Sequence, residues 1–145
     1  MTRFAPVYRA LGMILMLFGL AMLAPLTLSH LTDDGAQTAY NEGFLLTVLC
    51  GTFLWYRYRN TQRDLNVRDG FLLVVLVWTV LPAFSALPFM VDLNMSHTDA
   101  YFEAMSALTA TGATVMSGLD DLPASINLWR HLMQWLGGMG LIVLV

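Results

Sequence analysis

The sequence predicts an all-α membrane protein, a polytopic helical bundle that carries one re-entrant helix and loop. Three observations lead there. Of 145 residues, 57% are apolar, only 12% are charged and none is lysine, a balance that suits a bilayer better than a water-surrounded fold. The charges are sorted by position, so that long stretches carry none. A helix-forming segment too short to span a membrane also runs straight into small and hydroxyl residues, DAYFEAMSALTATGAT at 99–114. By length the chain is at most one small domain. Its net charge of −3 says little, and no basic run, heptad series or low-complexity tract points to nucleic acid or a coiled coil. Cys50 is the only cysteine and lies inside an apolar run, which excludes an internal disulfide and reads as a buried, inert thiol.

Residues 10–28 are nineteen uncharged residues behind Arg3 and Arg9, long enough to span. A secretory signal peptide has the same basic start, but the run is too long for its apolar core, and LTLSHL offers no small-residue cleavage site. Pro25 is expected to bend the outer end by removing one backbone bond. A polar loop with Asp33, Asp34 and Gly35 follows. The next apolar run, 43–56, has fourteen residues, and taken alone it suits a re-entrant segment. Extended to 39–58 it reaches about 30 Å, with Trp55, Tyr56 and Tyr58 as interfacial aromatics and Arg57 snorkelling. We read it as a spanning helix.

Residues 57–69 form a short basic loop, and 70–91 are a third span of twenty-two uncharged residues, kinked by Pro82 and Pro88. A helix over 98–108 comes next, with Ser96 three residues before Asp99 as a capping pair. Eleven residues give about 16 Å, half of a ~30 Å hydrocarbon core, and Glu103 also argues against spanning. After Leu108 the run 109–114 contains one glycine able to take positive φ. Such backbone enters the membrane and returns, which is tolerated at that depth only where it lines a cavity. Residues 115–127 lead out, and Trp129 and Arg130 open a fourth span. Its part 132–145 measures about 21 Å with no polar stop after Val145. The chain thus divides into 1–69, two leading helices and a cytoplasmic loop, and 70–145, one helix–loop–helix repeat with an incomplete last helix.

Orientation follows from the arginines. Six of seven (Arg3, Arg9, Arg57, Arg59, Arg63, Arg68) lie at the amino end or in the loop after span two, and these share a side only if both are cytoplasmic. The loop at 109–114 then enters from outside. Eight of ten acids face outward with it: Asp33, Asp34, Glu42, Asp92, Asp99, Glu103, Asp120 and Asp121. They either form a vestibule that concentrates cations or are simply allowed outside, since acids barely influence topology.

No catalytic constellation is present, and the sequence does not read as an enzyme. His30, His97 and His131 are isolated, without ligand spacing, and Ser106, Ser117 and Ser125 have no nucleophile context. Gly137-Gly138-Met139-Gly140 lacks the strand–turn–helix setting of a dinucleotide site and suits close helix packing. What remains is the loop. Backbone carbonyls can replace an ion's water while the negative end of a short helix points at it.

Here a resemblance becomes specific. FEAMSALTATGATVMSGLDDLP followed by WRHLMQWLGGMG resembles the first pore loop and next helix of the Trk-type potassium-uptake proteins, within the Trk/Ktr/HKT superfamily. T-x-T-G-x-T alone is weak; the SGLD and QWLGGMG at fixed spacing are strong, and the likeness extends over GFLLVVLVWTVLPAFSALPF. It implies a pore helix and a potassium-selectivity filter at Ala110, Thr111, Gly112, Ala113 and Thr114, with potassium at Ala110 and Thr111. It also implies that Gly137, Gly138 and Gly140 pack behind the filter. Many relatives have threonine where Ala110 stands; carbonyl coordination survives, but a hydroxyl is lost. In the family four unequal loops of one chain surround the pore, and protons or sodium are implicated in some members. Potassium is the transported substrate, with no covalently bound cofactor. The resemblance further implies membrane lipid, a homodimer and a cytosolic nucleotide-binding regulatory subunit as partners. It places the protein in a bacterial inner membrane, multi-pass with a cytoplasmic amino end. One loop is present where the family needs four. The chain therefore reads as the N-terminal piece of a longer transporter, needing the remaining repeats or a second chain. The alternatives are a non-conducting fragment or interaction subunit, and a four-subunit channel of identical copies.

Overall fold

The computed structural model describes residues 3–61 and 64–144, with side chains through Gly140. Arg63 of the basic loop and Val145 at the end of the fourth span lie outside the described residues. The elements are α1 (Ala5–Ala21), α2 (Leu23–Thr32), α3 (Gln37–Tyr58), α4 (Val67–Ser85), α5 (Leu87–Asp92), α6 (His97–Leu108) and α7 (Ala124–Leu144), with a 3₁₀ turn at Leu119–Asp121. Two stretches are long and apolar enough to cross a membrane, Ala5–Thr32 and Val67–Asp92. At 22 residues, α3 reaches about 33 Å, the length of a crossing, but it is not among the stretches apolar enough for one.

Prolines set the breaks. The first span runs on as α1 and α2 with a discontinuity at Met22, three residues before Pro25, whose missing N–H weakens the preceding turn. The third divides at Ala86, two residues before Pro88, while Pro82 is carried inside α4. Both spans begin earlier than the apolar runs suggest. The start of α4 is moved back to Val67 by a capping box in which the Asn66 N–H donates to Asp69 at 3.2 Å.

The leading helices pack by backbone contact. A Cβ on Gly12 would stand 2.7 Å from the Gly51 carbonyl oxygen, and one on Gly51 would stand 2.8 Å from that of Gly12. This lets α1 and α3 touch where any side chain would hold them apart. Near one end Tyr8 stacks on Tyr58, with centroids 5.3 Å apart, and Arg9 donates to the Thr61 carbonyl at 2.9 Å. Near the other, α7 joins the pair to the rest. Trp129 is fully buried against Phe18 and Tyr40. Its indole N–H donates to the Ser85 carbonyl at 3.1 Å, in the last turn of α4. The Tyr40 hydroxyl donates to the Ser125 carbonyl at 2.9 Å.

The α2–α3 loop docks here as well. Asp34 accepts from the Ser29 hydroxyl, the Ser125 N–H at 3.0 Å and the Ala36 N–H at 3.2 Å. Burial raises its pKa, but the hydrogen bonds from Ser29, Ser125 and Ala36 outweigh that and leave it lowered to about 2. Asp34 is thus an internal anchor rather than one of a free outward set of acids.

Candidate functional site

The site is built on α6 and the irregular segment behind it. Ser96 caps α6 by accepting the Asp99 N–H at 3.1 Å, as its spacing suggests. Ala100 and Ala104 are fully buried, and twelve residues make about 18 Å. Two hydrogen bonds finish the helix: the Ala110 N–H to the Ala107 carbonyl at 3.0 Å, and the Thr111 N–H to the Ser106 carbonyl at 3.0 Å. That pattern is a Schellman motif, which needs a left-handed residue where Ala110 stands. Ala110 adopts φ 55°, a conformation costing an alanine about 1 kcal/mol over glycine. Gly112 takes φ 76°, the turn its residue type allows.

These bonds orient the loop carbonyls. All described peptides are trans, so each C=O points opposite to the N–H of the same peptide plane. With the N–H groups of Ala110 and Thr111 turned back to α6, the carbonyls of Thr109 and Ala110 are aimed away from it. The carbonyls of Ala110, Thr111, Gly112 and Thr114 accept no hydrogen bond among the described residues, and residues 110–114 are exposed. Ala113 differs. Its carbonyl accepts the Ser106 hydroxyl at 2.6 Å, so it faces α6 and departs from the uniform outward run expected for 110–114. The Thr111 hydroxyl lies 2.8 Å from that of Thr109, which itself donates to the Met105 carbonyl at 2.8 Å.

Glu103 holds the return limb. It is 2% exposed, so it does not belong to an open acidic vestibule. One of its oxygens accepts the Thr114 hydroxyl at 2.5 Å, the Val115 N–H at 2.6 Å and the Met116 N–H at 3.2 Å. The other lies 3.5 Å from Arg130 of α7. By the same peptide rule the carbonyls of Thr114 and Val115 point away from Glu103. Beside the pair is a cavity of about 190 Å³, lined on its loop side by Gly112 and Ala113 and on α7 by Arg130, His131 and Gln134.

Of the α7 glycines, Gly137 is the one in contact. A Cβ there would stand 1.7 Å from the Leu108 carbonyl oxygen, whereas nothing described lies within 4 Å of one on Gly138 or Gly140. Among the described residues, the packing expected of three glycines therefore falls on Gly137. His30, His97 and His131 are exposed and Cys50 is half-buried.

Sequence reasoning took Glu103 for an outward acid and passed over Arg130 as the start of a span. The available signal was an acid at mid-length in an apolar half-helix, which burial makes costly unless paired.

Comparison with known proteins places these features in context. The TrkH family model, described as cation transport protein, matches residues 36–145. The chain is 46% identical over 144 residues to the Trk system potassium uptake protein TrkH of Vibrio parahaemolyticus, covering 98% of this chain and 30% of the relative. It is 43% identical over 143 residues to TrkH of Escherichia coli K12, covering 97% and 30%. It is 32% identical over 135 residues to the same organism's TrkG, covering 92% and 28%. The crystal structure of the potassium transporter TrkH from Vibrio parahaemolyticus superposes with a TM-score of 0.92, covering 99% of this chain and 31% of that one. The chain spans about 30% of the length of the TrkH relatives it matches.

Proposed function

The chain belongs to the TrkH family of cation transport proteins, and on that premise we propose that it supplies one quarter of a potassium-selective pore. In this reading α6 is a pore helix, and the carbonyls of Ala110, Thr111, Gly112 and Thr114 face the ion, with potassium resting at Ala110 and Thr111. The observation that carries it is a pair of loop peptides whose N–H groups, on Thr111 and Val115, turn back to α6 and to Glu103 and leave the exposed carbonyls of Ala110 and Thr114 pointing the other way. Carbonyls aimed at one axis can replace the water that a cation sheds, and α6 adds the negative end of its dipole. A loop on one side leaves the ion largely uncompensated, so the rest of the ring comes from three further loops of a longer transporter. Ala113, tied to Ser106, serves the shape of the loop rather than the ion.

The division expected at residue 70 moves back to the start of α4 at Val67, with the two leading helices before it and the first helix–pore loop–helix repeat after it. The amino end is cytoplasmic, in the inner membrane of a bacterium, and the loop opens outward. A homodimer and a cytosolic nucleotide-binding subunit complete the assembly, and no enzymatic step is involved.

The test uses a chimera in which residues 1–145 replace the matching segment of the Vibrio parahaemolyticus transporter. Gly112→Ser opposes the required left-handed turn and should lower the ratio of potassium to sodium flux into liposomes about tenfold, the equivalent of about 1.4 kcal/mol, within the ~1–2 kcal/mol that a side chain costs there. Thr111→Ala keeps the carbonyl and should do less. A parent-like ratio in Gly112→Ser would sink the filter reading.

A further inference from the structure

Glu103 is a buried carboxylate that nothing in carbonyl selection requires. Burying such a group is unfavourable unless every lone pair is used, and here the users are specific. Three donors from three consecutive residues, Thr114, Val115 and Met116, converge on one carboxylate oxygen within 3.2 Å. Arg130 stands 3.5 Å from the other. The limb 114–116 belongs to no helix or strand, so the N–H groups of Val115 and Met116 depend on Glu103 and on the Thr114 hydroxyl, which takes a second bond from Met116 at 3.0 Å. Arg130 sits on α7 and Glu103 on α6, so the pair joins the limb to both helices.

We propose that Glu103, oriented by Arg130, is a positioning residue that sets the carbonyl directions of Thr114 and Val115, and through them the ion preference of the loop. This rests on the reading of the loop as an ion filter. The Glu103 carboxylate does not touch the ion; it acts through peptide planes. Because the plane between Thr114 and Val115 is rigid, fixing its N–H fixes its carbonyl, and a rotation at this point turns an ion-facing oxygen aside. Arg130 contributes by holding the carboxylate in the rotamer that reaches the limb.

The chimera described above separates the two ideas. Gly112→Ser tests the filter itself, and a parent-like potassium-to-sodium ratio there removes the premise and this proposal with it. With that ratio lowered, Glu103→Ala is expected to lower it about tenfold or more, the scale of losing a charged hydrogen bond. Glu103→Gln keeps one acceptor oxygen but turns an amide N–H₂ toward Arg130, and its loss should be smaller. Arg130→Gln should fall between, and the double variant Glu103→Gln/Arg130→Gln should lose less than the sum of the two, as coupled partners do. Thermal stability measured in potassium and in sodium gives a second readout: the potassium-specific increment should shrink in step with the flux ratio, which a general loss of stability does not produce. If Glu103→Ala is not recovered folded, Glu103→Gln and Arg130→Gln decide alone. Parent-like flux ratios in these Glu103 and Arg130 variants, beside a defective Gly112→Ser, overturn the proposal and leave the filter standing.

Discussion

Replacing Gly137 by alanine sets a methyl carbon 1.7 Å from the Leu108 carbonyl oxygen and 2.6 Å from its carbonyl carbon. An ordinary C···O contact is about 3.3 Å, so α7 and the end of α6 have to part by about 1.6 Å. Neither side can yield by a rotamer change, because the obstruction is backbone. Overpacking typically costs about 1–3 kcal/mol, and a clash between two main chains belongs at the upper end, near ~3 kcal/mol. The 145-residue segment is 30% of the relative's length. For a chimera of that full size roughly 1 °C is lost per kcal/mol, so its melting temperature should drop about 3 °C. The displaced group lies two residues before Ala110, so the loop moves with it and the potassium-to-sodium flux ratio should fall too. Gly138→Ala is the control: nothing described lies within 4 Å of the added methyl, and alanine is about 1 kcal/mol the better helix former. Parent-like melting and selectivity in Gly137→Ala would refute the close contact.

Two further outcomes are expected. A cysteine at Asn60 should be labelled only from the cytoplasm and one at Gly35 only from outside, and reversed labelling defeats the orientation drawn from the arginines. The pKa of Asp34 is depressed in the folded state to about 2. Its stabilising contribution is therefore present above the unfolded value of about 3.9 and is lost as pH falls through about 2. The melting gap between the parent chimera and Asp34→Asn should be about 1 kcal/mol in equivalent at neutral pH, after allowing for solvent screening, and should close in acid. A gap independent of pH would show that Asp34 acts by shape alone.

Most helices were legible because hydrophobic length and punctuation are local properties. The α6 cap at Ser96, the positive φ of Gly112 and the disturbance near Pro25 follow from residue type within one turn. The left-handed Ala110 did not, because alanine carries no such preference; the Schellman bonds impose it, and those depend on where α6 stops. The Glu103–Arg130 pair spans two helices separated by a long loop, and no spacing rule links them. Among Gly137, Gly138 and Gly140, the one that meets Leu108 is chosen by the rotation of α7 against α6, a tertiary quantity invisible to composition. The internal roles of Asp34 and Glu103 were illegible for the same reason: their hydrogen-bond partners, Ser125 for the one and Thr114, Val115 and Met116 with Arg130 for the other, come from other parts of the chain.

The Trp129 indole has a consequence for biosynthesis. Its partner, the Ser85 carbonyl, is made 44 residues earlier, and the Tyr40 hydroxyl precedes its own acceptor at Ser125 by 85. At about 5–20 residues per second, the Ser85 carbonyl waits roughly 2–9 seconds for the indole during translation. The lipid interior offers no water to substitute. Until α7 arrives, the earlier helices hold an open slot, edged by Phe18 and Tyr40, that only the late-emerging indole closes. Closure of that slot is therefore a late event in synthesis, and Trp129→Ala should leave the Ser85 carbonyl without its indole partner even after α7 is complete.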